Sequence, residues 1–130
     1  MNGLLNAGLF FILTSIVIII AIFIFNFVTK YKIWTEVNNG NLAVALSTGG
    51  FILGVANIMK SSIESNVKLT DTILWGGIGT VALLIVYFAF EILTPKLKVS
   101  EEIARGNKAV GFISLVFSLT FSLIIGACIS

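Results

Sequence analysis

The stretch VNNGNLAVAL at positions 37–46 decides the fold, because a similar stretch, IARGNKAVGF, follows at positions 103–112. Each places a Gly-Asn pair directly before a long apolar run. The similarity extends upstream, since KYKIWTEVNNGNLAV at 30–44 aligns with KLKVSEEIARGNKAV at 96–110. This predicts an internal repeat with halves at 1–66 and 67–130. The identical positions are Lys30/Lys96, Lys32/Lys98, Glu36/Glu102, Gly40/Gly106, Asn41/Asn107, Ala43/Ala109 and Val44/Val110.

Outside these polar stretches the chain is apolar, with 58% hydrophobic and 11% charged residues and a mean hydropathy of +1.10. A bilayer-spanning helix needs roughly 20 apolar residues, and backbone groups in lipid must be hydrogen-bonded internally. The sequence therefore predicts an all-α integral membrane protein with four transmembrane helices, arranged as two tandem helical hairpins. The apolar runs cover about 7–29, 41–59, 73–94 and 109–129.

The distribution of basic residues predicts the orientation. Cytoplasmic connections are enriched in Lys and Arg, and here the 1–2 and 3–4 connections carry most of them. Both termini lack such residues, so we expect them outside and expect the first helix to be retained, not cleaved as a signal peptide. Two hairpins entering from the same side form a parallel repeat. The basic residues predicted to be cytoplasmic are Lys30, Lys32, Lys96, Lys98, Arg105 and Lys108.

The Gly-Asn pairs suit the ends of short interfacial helices in these connections. Gly106 can adopt the left-handed conformation that ends such a helix, and Asn107 can cap the membrane helix that follows. Gly40 and Asn41 would do the same in the first half. The alternative is that these residues form a binding site on the cytoplasmic face.

The repeated motif resembles the domain-of-unknown-function 350 family, the YjfL-like small bacterial inner-membrane proteins. The matching stretches are FEILTP at 90–95, NNGNLAVALSTGGFILGVA at 38–56 and ARGNKAVGF at 104–112. The first half departs from the motif, with Asn26 where an acidic residue is expected and Lys30 where a proline is expected. The resemblance implies a multi-pass protein of the bacterial cytoplasmic membrane and no particular mechanism.

Small residues recur on single faces of two predicted membrane helices. Such residues let helices pack closely in lipid, within a chain or between chains, so a homo-oligomer is expected. The other interpretation is that the serines line a polar path. The positions are Ser47, Gly50, Gly54 and Asn57 in the second helix, and Gly111, Ser114, Ser118, Ser122 and Gly126 in the fourth.

Glu91 is the single carboxylate inside an apolar run, VYFAFEILTP at 86–95. An intramembrane acidic residue is costly and needs a role. Three roles remain open: an ion pair with one of the basic residues nearby, a hydrogen bond to Asn26 of the other half, or a protonatable or cation-attracting site at the mouth of a pathway.

The sequence does not favour an enzyme, because histidine is absent and Cys128 has no adjacent base. No cofactor, metal site or nucleic-acid partner is expected. Two classes of function remain. The favoured one is an oligomeric channel-like or transport-related component. The alternative is a non-catalytic scaffold that maintains the envelope, organises membrane lipid or docks a cytoplasmic protein partner.

Overall fold

The computed structural model describes residues 2–29, 31–93 and 98–130, and these residues form six helices and no strand. Four helices are long and apolar enough to cross a membrane, with 22 to 26 residues each. At about 1.5 Å per residue, each exceeds the roughly 30 Å hydrocarbon core of a bilayer. The four predicted membrane helices are therefore present. The helices are α1 Asn2–Val28, α2 Ile33–Asn38, α3 Leu42–Ser65, α4 Leu69–Leu93, α5 Val99–Ala104 and α6 Lys108–Ile129.

The long helices extend beyond the predicted apolar runs. α3 continues past Met59 to Ser65, and α4 begins at Leu69 instead of Ile73. Hydropathy marks the part of a helix that lies in hydrocarbon, whereas backbone hydrogen bonding continues into the polar boundary. Side chains one turn apart stabilise this extension in α3, where Lys60 pairs with Glu64 at 3.1 Å. The predicted end of the third run, at 94, lies outside the described residues.

Short helices occupy both connections, α2 before α3 and α5 before α6. Both lie at the same end of the bundle, because the N-terminus of α3 is hydrogen-bonded to the C-terminus of α5. The connection between α3 and α4, which contains the predicted division of the chain after position 66, lies at the other end. An interfacial location of α2 and α5 stays a prediction.

α3 and α6 share the most extensive helix contact in the described structure. Their backbones approach so closely that a Cβ at Gly111 would lie 2.6 Å from the carbonyl oxygen of Ala43, and one at Gly50 would lie 2.5 Å from the Cα of Leu115. α4 packs against both helices. The centre of the protein is therefore a tight three-helix contact among α3, α4 and α6.

α1 departs from the packing that two equivalent hairpins would give. It contacts α3 and α4, whereas α4, its predicted counterpart, contacts α3 and α6. The reason lies in the N-terminal half of α4, where Gly76 and Gly79 let the helix approach Met59 and Ile58 of α3. α1 is apolar on all sides and is the least buried of the four long helices, as suits a helix surrounded by lipid.

Each hairpin nevertheless contains one stacked aromatic pair at aligned positions. The rings of Phe25 and Phe51 are 4.2 Å apart in the first, and those of Phe90 and Phe117 are 4.3 Å apart in the second. Each pair joins the end of the first long helix to the second long helix of the same hairpin. The two halves therefore share this local packing even though α1 and α4 differ in their wider contacts.

Candidate functional site at the joined connections

The two connections end in matching turns. Gly40 and Gly106 have φ angles of +84° and +88°, a left-handed backbone that glycine adopts without steric cost. The following asparagines cap the next helices, since Asn41 Oδ1 accepts from the Val44 amide and Asn107 Oδ1 accepts from the amides of Ala109 and Val110. Each asparagine also donates to a glutamate five residues earlier, Glu36 at 3.0 Å and Glu102 at 2.9 Å.

Asn41 additionally joins the two hairpins. Its Nδ2 donates to the backbone carbonyl oxygens of Ile103 at 3.2 Å and Ala104 at 3.0 Å, at the end of α5. These carbonyls are among those that a helix leaves unpaired at its C-terminus. The cap of α3 thus also completes the hydrogen bonding of α5, and the connections are fixed relative to each other. No pattern in the sequence predicts this bond, because Asn107 has the same sequence context and does not make it.

Basic side chains surround this joint. Lys32, Lys98 and Lys108 are exposed, and Arg105 Nη1 pairs with Glu102 Oε2 at 2.8 Å. Lys30 and Lys96 lie outside the described residues. We call the four described basic residues, Lys32, Lys98, Arg105 and Lys108, the basic platform.

Glu91 and Asn26, which align in the sequence, each reach the first turn of the short helix in their own hairpin. Asn26 Oδ1 accepts from the backbone amide of Ile33 at 3.2 Å. Ser100 Oγ donates to Glu91 Oε1. Both side chains therefore attach a membrane helix to the connection that follows it.

Four hydroxyl groups form a buried cluster beneath the platform, which we call the hydroxyl cluster. Ser47 Oγ is hydrogen-bonded to the hydroxyl of Tyr87 at 3.2 Å and to that of Ser114 at 2.8 Å. Tyr31, from the first connection, lies beside them, and its hydroxyl has no hydrogen-bond partner of normal geometry in the described structure. Burial raises the pKa of the Tyr31 phenol well above its ordinary value, and the neighbouring Tyr87 raises this pKa further.

Of this cluster, only Ser114 was identifiable from the sequence as a candidate. Tyr31 and Tyr87 were missed, and Ser47 was identified only as a member of the small-residue face of the second helix, although a signal was present for Tyr87 and Ser47. Tyr87 lies one helical turn before Glu91, and Ser47 lies one turn before Phe51 on the buried face of α3.

The predicted small-residue faces meet along the contact between α3 and α6. Ser114, Ser118 and Ser122 are fully buried there, and Asn57 Nδ2 donates to the Ser122 carbonyl at 3.1 Å. The Ser118 hydroxyl has no partner in the described structure. The glycines of both faces adjoin the opposite helix or side chains close to it: Gly50, Gly54, Gly111 and Gly126.

A half-open cavity of about 290 Å³ adjoins Glu91 on the outside of the bundle. It separates the last turns of α4 from the start of α5. Phe88 and Ile92 form its apolar wall, and Lys98, Ser100 and Glu101 form the polar wall opposite. No group of three or more His, Cys, Asp or Glu side chains suited to a metal occurs in the part of the chain that the structure describes.

Comparisons with known proteins agree with this architecture at the level of the family. The family model described as Domain of Unknown Function (DUF350) matches residues 1–129. The chain is 44% identical over 126 residues to the UPF0719 transmembrane protein YshE of Bacillus subtilis (strain 168), which covers 97% of this chain and 94% of that protein. No solved structure matches.

Proposed function

This chain belongs to the DUF350 family, and from that premise we propose that it is a non-catalytic component of the bacterial cytoplasmic membrane that gathers anionic lipid at its basic platform. The observation that carries the proposal is the bond from Asn41 to the carbonyls of Ile103 and Ala104. It holds two basic connections in one fixed arrangement at one end of the bundle.

Charge and exposure support this function. Each Lys or Arg near an anionic membrane surface contributes about 1 kcal/mol of attraction, and the platform carries four such residues. Four glutamates at the same end, Glu36, Glu91, Glu101 and Glu102, offset part of this attraction, and the sequence there carries six basic and four acidic residues, an excess of two positive charges. The α3–α4 connection at the other end is balanced, because Lys60 is paired with Glu64 and Lys68 is accompanied by Asp71. The asymmetry favours a cytoplasmic platform, interfacial α2 and α5, and both termini outside.

The proposal includes the internal repeat. Support for it comes from the similar φ angles of Gly40 and Gly106, the equivalent caps and the two stacked aromatic pairs described above. Two copies of one hairpin, entering from the same side, bring two equivalent connections to the same surface. Duplication is therefore the origin that we propose for the platform.

A second candidate is the oligomeric channel or transport component. Two buried hydroxyls without partners favour it, that of Tyr31 in the hydroxyl cluster and that of Ser118 outside it, because such groups are sites where water or an ion is commonly bound. The close approach at Gly50 and Gly111 leaves no lumen along the serine face within one chain. A pore would have to lie between copies, and Gly49 and Gly77, which have open space beside them, permit such contacts.

Ion flux into liposomes separates the two candidates. Purified protein is reconstituted, its oligomeric mass is measured, and flux of K⁺, Cl⁻ and H⁺ is compared with that of protein-free liposomes. The platform function predicts no additional flux from folded wild type or from Glu91→Gln. Flux that changes with Glu91→Gln would support the channel and contradict our preference.

A further inference from the structure

The contact between α3 and α6 joins two helices at equivalent places in the repeat, but each helix uses a different face. Gly50 of α3 adjoins Leu115 of α6, whereas Val116, which is aligned with Gly50, is exposed. A contact between different faces of equivalent units is heterologous, and it can be repeated from one unit to the next. The positions of α3 in this contact are Ala43, Ser47, Gly50, Gly54, Asn57 and Ser61.

The corresponding face of α6 is exposed along the whole helix. The alignment continues without a gap from Val44 and Val110 into both helices, and the stacked rings of Phe51 and Phe117 keep the same register. In this register the six contact positions of α3 correspond to six exposed residues of α6. They are Ala109, Ile113, Val116, Thr120, Leu123 and Ala127.

α3 has an open strip at positions that correspond to the contact face of α6. α3 is the most buried of the four long helices, so this strip is an exception along it. A Cβ at Gly49, which is aligned with Leu115, would have nothing within 4 Å among the described residues. The partly exposed positions of the strip are Ala45, Gly49, Ile52 and Ala56.

We propose that these two faces bind each other between copies of the chain. The exposed face of α6 in one copy packs against the open strip of α3 in the next, as α3 packs against α6 within the chain. Each copy therefore uses two different faces, and the assembly is larger than a dimer. The inference rests on the internal repeat that the proposed function includes, and it does not depend on lipid binding at the basic platform.

The sizes of the aligned side chains suit this contact. Within the chain, Gly50 lets α3 approach Leu115 so closely that a Cβ at Gly50 would lie 2.5 Å from the Cα of Leu115. Between copies the glycine lies on the other side, with Gly49 of one copy opposite Val116 of the next. Small residues on at least one side of a crossing let helices pack closely in lipid. The two contacts therefore use the same arrangement with the large and small residues exchanged.

Disulfide crosslinking in bacterial membranes tests this contact. Two differently tagged copies, both carrying Cys128→Ser, are coexpressed, one with Gly49→Cys and the other with Val116→Cys, and are oxidised with copper phenanthroline. A disulfide needs Cβ atoms about 4 Å apart, so we expect at least about fivefold more linked heterodimer than in a control with Phe88→Cys in place of Val116→Cys. Phe88 is exposed on α4, outside both faces. Ala45→Cys with Ala109→Cys is a second pair if Gly49→Cys does not fold.

The mass of the purified protein in nanodiscs provides an independent test. Gly49→Leu places its side chain in open space within one chain but against Val116 of the next copy, so we expect the assembly to dissociate while the chain stays folded. Gly77→Leu is the matched control, because a Cβ at Gly77 of α4 also has nothing within 4 Å among the described residues. We expect it to keep the wild-type mass.

A monomeric or dimeric wild type would overturn the proposal, as would a folded Gly49→Leu that keeps the wild-type mass. Crosslinking of Gly49→Cys to a second Gly49→Cys, as strong as its crosslinking to Val116→Cys, would also overturn it, because the contact would then be symmetric. Crosslinking no stronger than with Phe88→Cys would do the same. Quenching of Trp34 by anionic lipid, treated below, is a separate measurement, so either result can fail alone.

Discussion

The side-chain nitrogen of Asn41 lies 3.0 Å from the backbone oxygen of Ala104, and this hydrogen bond joins the connection of the first hairpin to that of the second. Asn107, at the aligned position, caps its own helix and bonds to Glu102. Both asparagines therefore cap a helix, and of the two, Asn41 alone also bonds to the other connection. This difference provides a comparison within a single chain.

We expect Asn41→Ala to destabilise the protein more than Asn107→Ala. Both changes remove a helix cap, at about 1 kcal/mol, and Asn41→Ala also leaves two carbonyls of α5 without this donor, at about 1 kcal/mol more. The free energy of unfolding in SDS-containing mixed micelles measures the difference. Asn41→Ser keeps an oxygen that can cap α3 and removes the amide donor without adding a charge beside Glu36, so it should isolate the second contribution. Equal losses in the two alanine variants would contradict the joint.

Glycine substitutions test the contact between α3 and α6. Gly111→Ala places a methyl group 2.6 Å from a backbone oxygen of Ala43, which cannot move independently of its helix, and we expect a loss of about 1–3 kcal/mol. Gly49→Ala is the control, because its Cβ would have nothing within 4 Å. There, the higher helix propensity of alanine should leave stability unchanged or raise it by up to about 1 kcal/mol. The same unfolding assay reports both, and a tolerated Gly111→Ala would contradict the close approach.

Alkaline pH should destabilise the protein through Tyr31. Its pKa is raised in the folded state by burial and by Tyr87, so the folded protein keeps this proton where the unfolded chain releases it. The stabilisation is complete below the unfolded pKa of about 10 and is lost progressively as pH rises above it. The variant Tyr87→Phe leaves Tyr31 as the remaining tyrosine of the two in the chain. In this variant, the tyrosinate absorbance of Tyr31 should appear only when the protein unfolds. A Tyr31 hydroxyl that titrates near pH 10 in the folded protein would contradict its burial.

Cys128 tests the orientation, because it is exposed near the end of α6 and is the single cysteine of the chain. We expect a membrane-impermeant maleimide to label it in intact spheroplasts. In the control, Cys128→Ser combined with Arg105→Cys, labelling should require permeabilisation. The reverse pattern would place the platform outside the cell.

The sequence was sufficient for the long helices, the turns at Gly40 and Gly106 and the caps at Asn41 and Asn107. All of these depend on residues close together in the sequence. The long helices depend on the hydropathy of one span, the turns on the left-handed conformation of one glycine, and the caps on the side-chain oxygen of the asparagine that follows. The surroundings of Ser100 and Tyr31 could not be predicted. Ser100 bonds to Glu91 of α4, and Tyr31 is buried beside the hydroxyls of Ser47 and Tyr87, so both depend on how the whole bundle packs. The packing of α1 could not be predicted for the same reason, because it depends on how closely Gly76 and Gly79 bring α4 to α3.

Glu91 shows the same limit at the level of one residue. Hydropathy identified it as a costly carboxylate, and three roles were consistent with its position: an ion pair, a hydrogen bond to Asn26, or a protonatable or cation-attracting site. The bond from Ser100 depends on where α5 begins relative to α4, which no spacing in the sequence specifies. Ser118, on the contact between α3 and α6, illustrates the converse: the sequence identified the position, but its hydroxyl has no hydrogen-bond partner in the described structure.

Quenching of the two tryptophans by brominated lipids tests the platform itself. Trp34 lies on α2 and is 59% exposed, and Trp75 lies near the other end of the bundle and is 43% exposed. The nanodiscs contain phosphatidylglycerol and phosphatidylcholine in equal fractions, and one of the two lipids is brominated. In the variant Trp75→Phe, brominated phosphatidylglycerol should quench Trp34 more than brominated phosphatidylcholine does, and high salt should remove this difference. Trp75 in Trp34→Phe should be quenched equally by both. Equal quenching of Trp34 by both lipids at low salt would contradict an anionic-lipid platform at the joined connections.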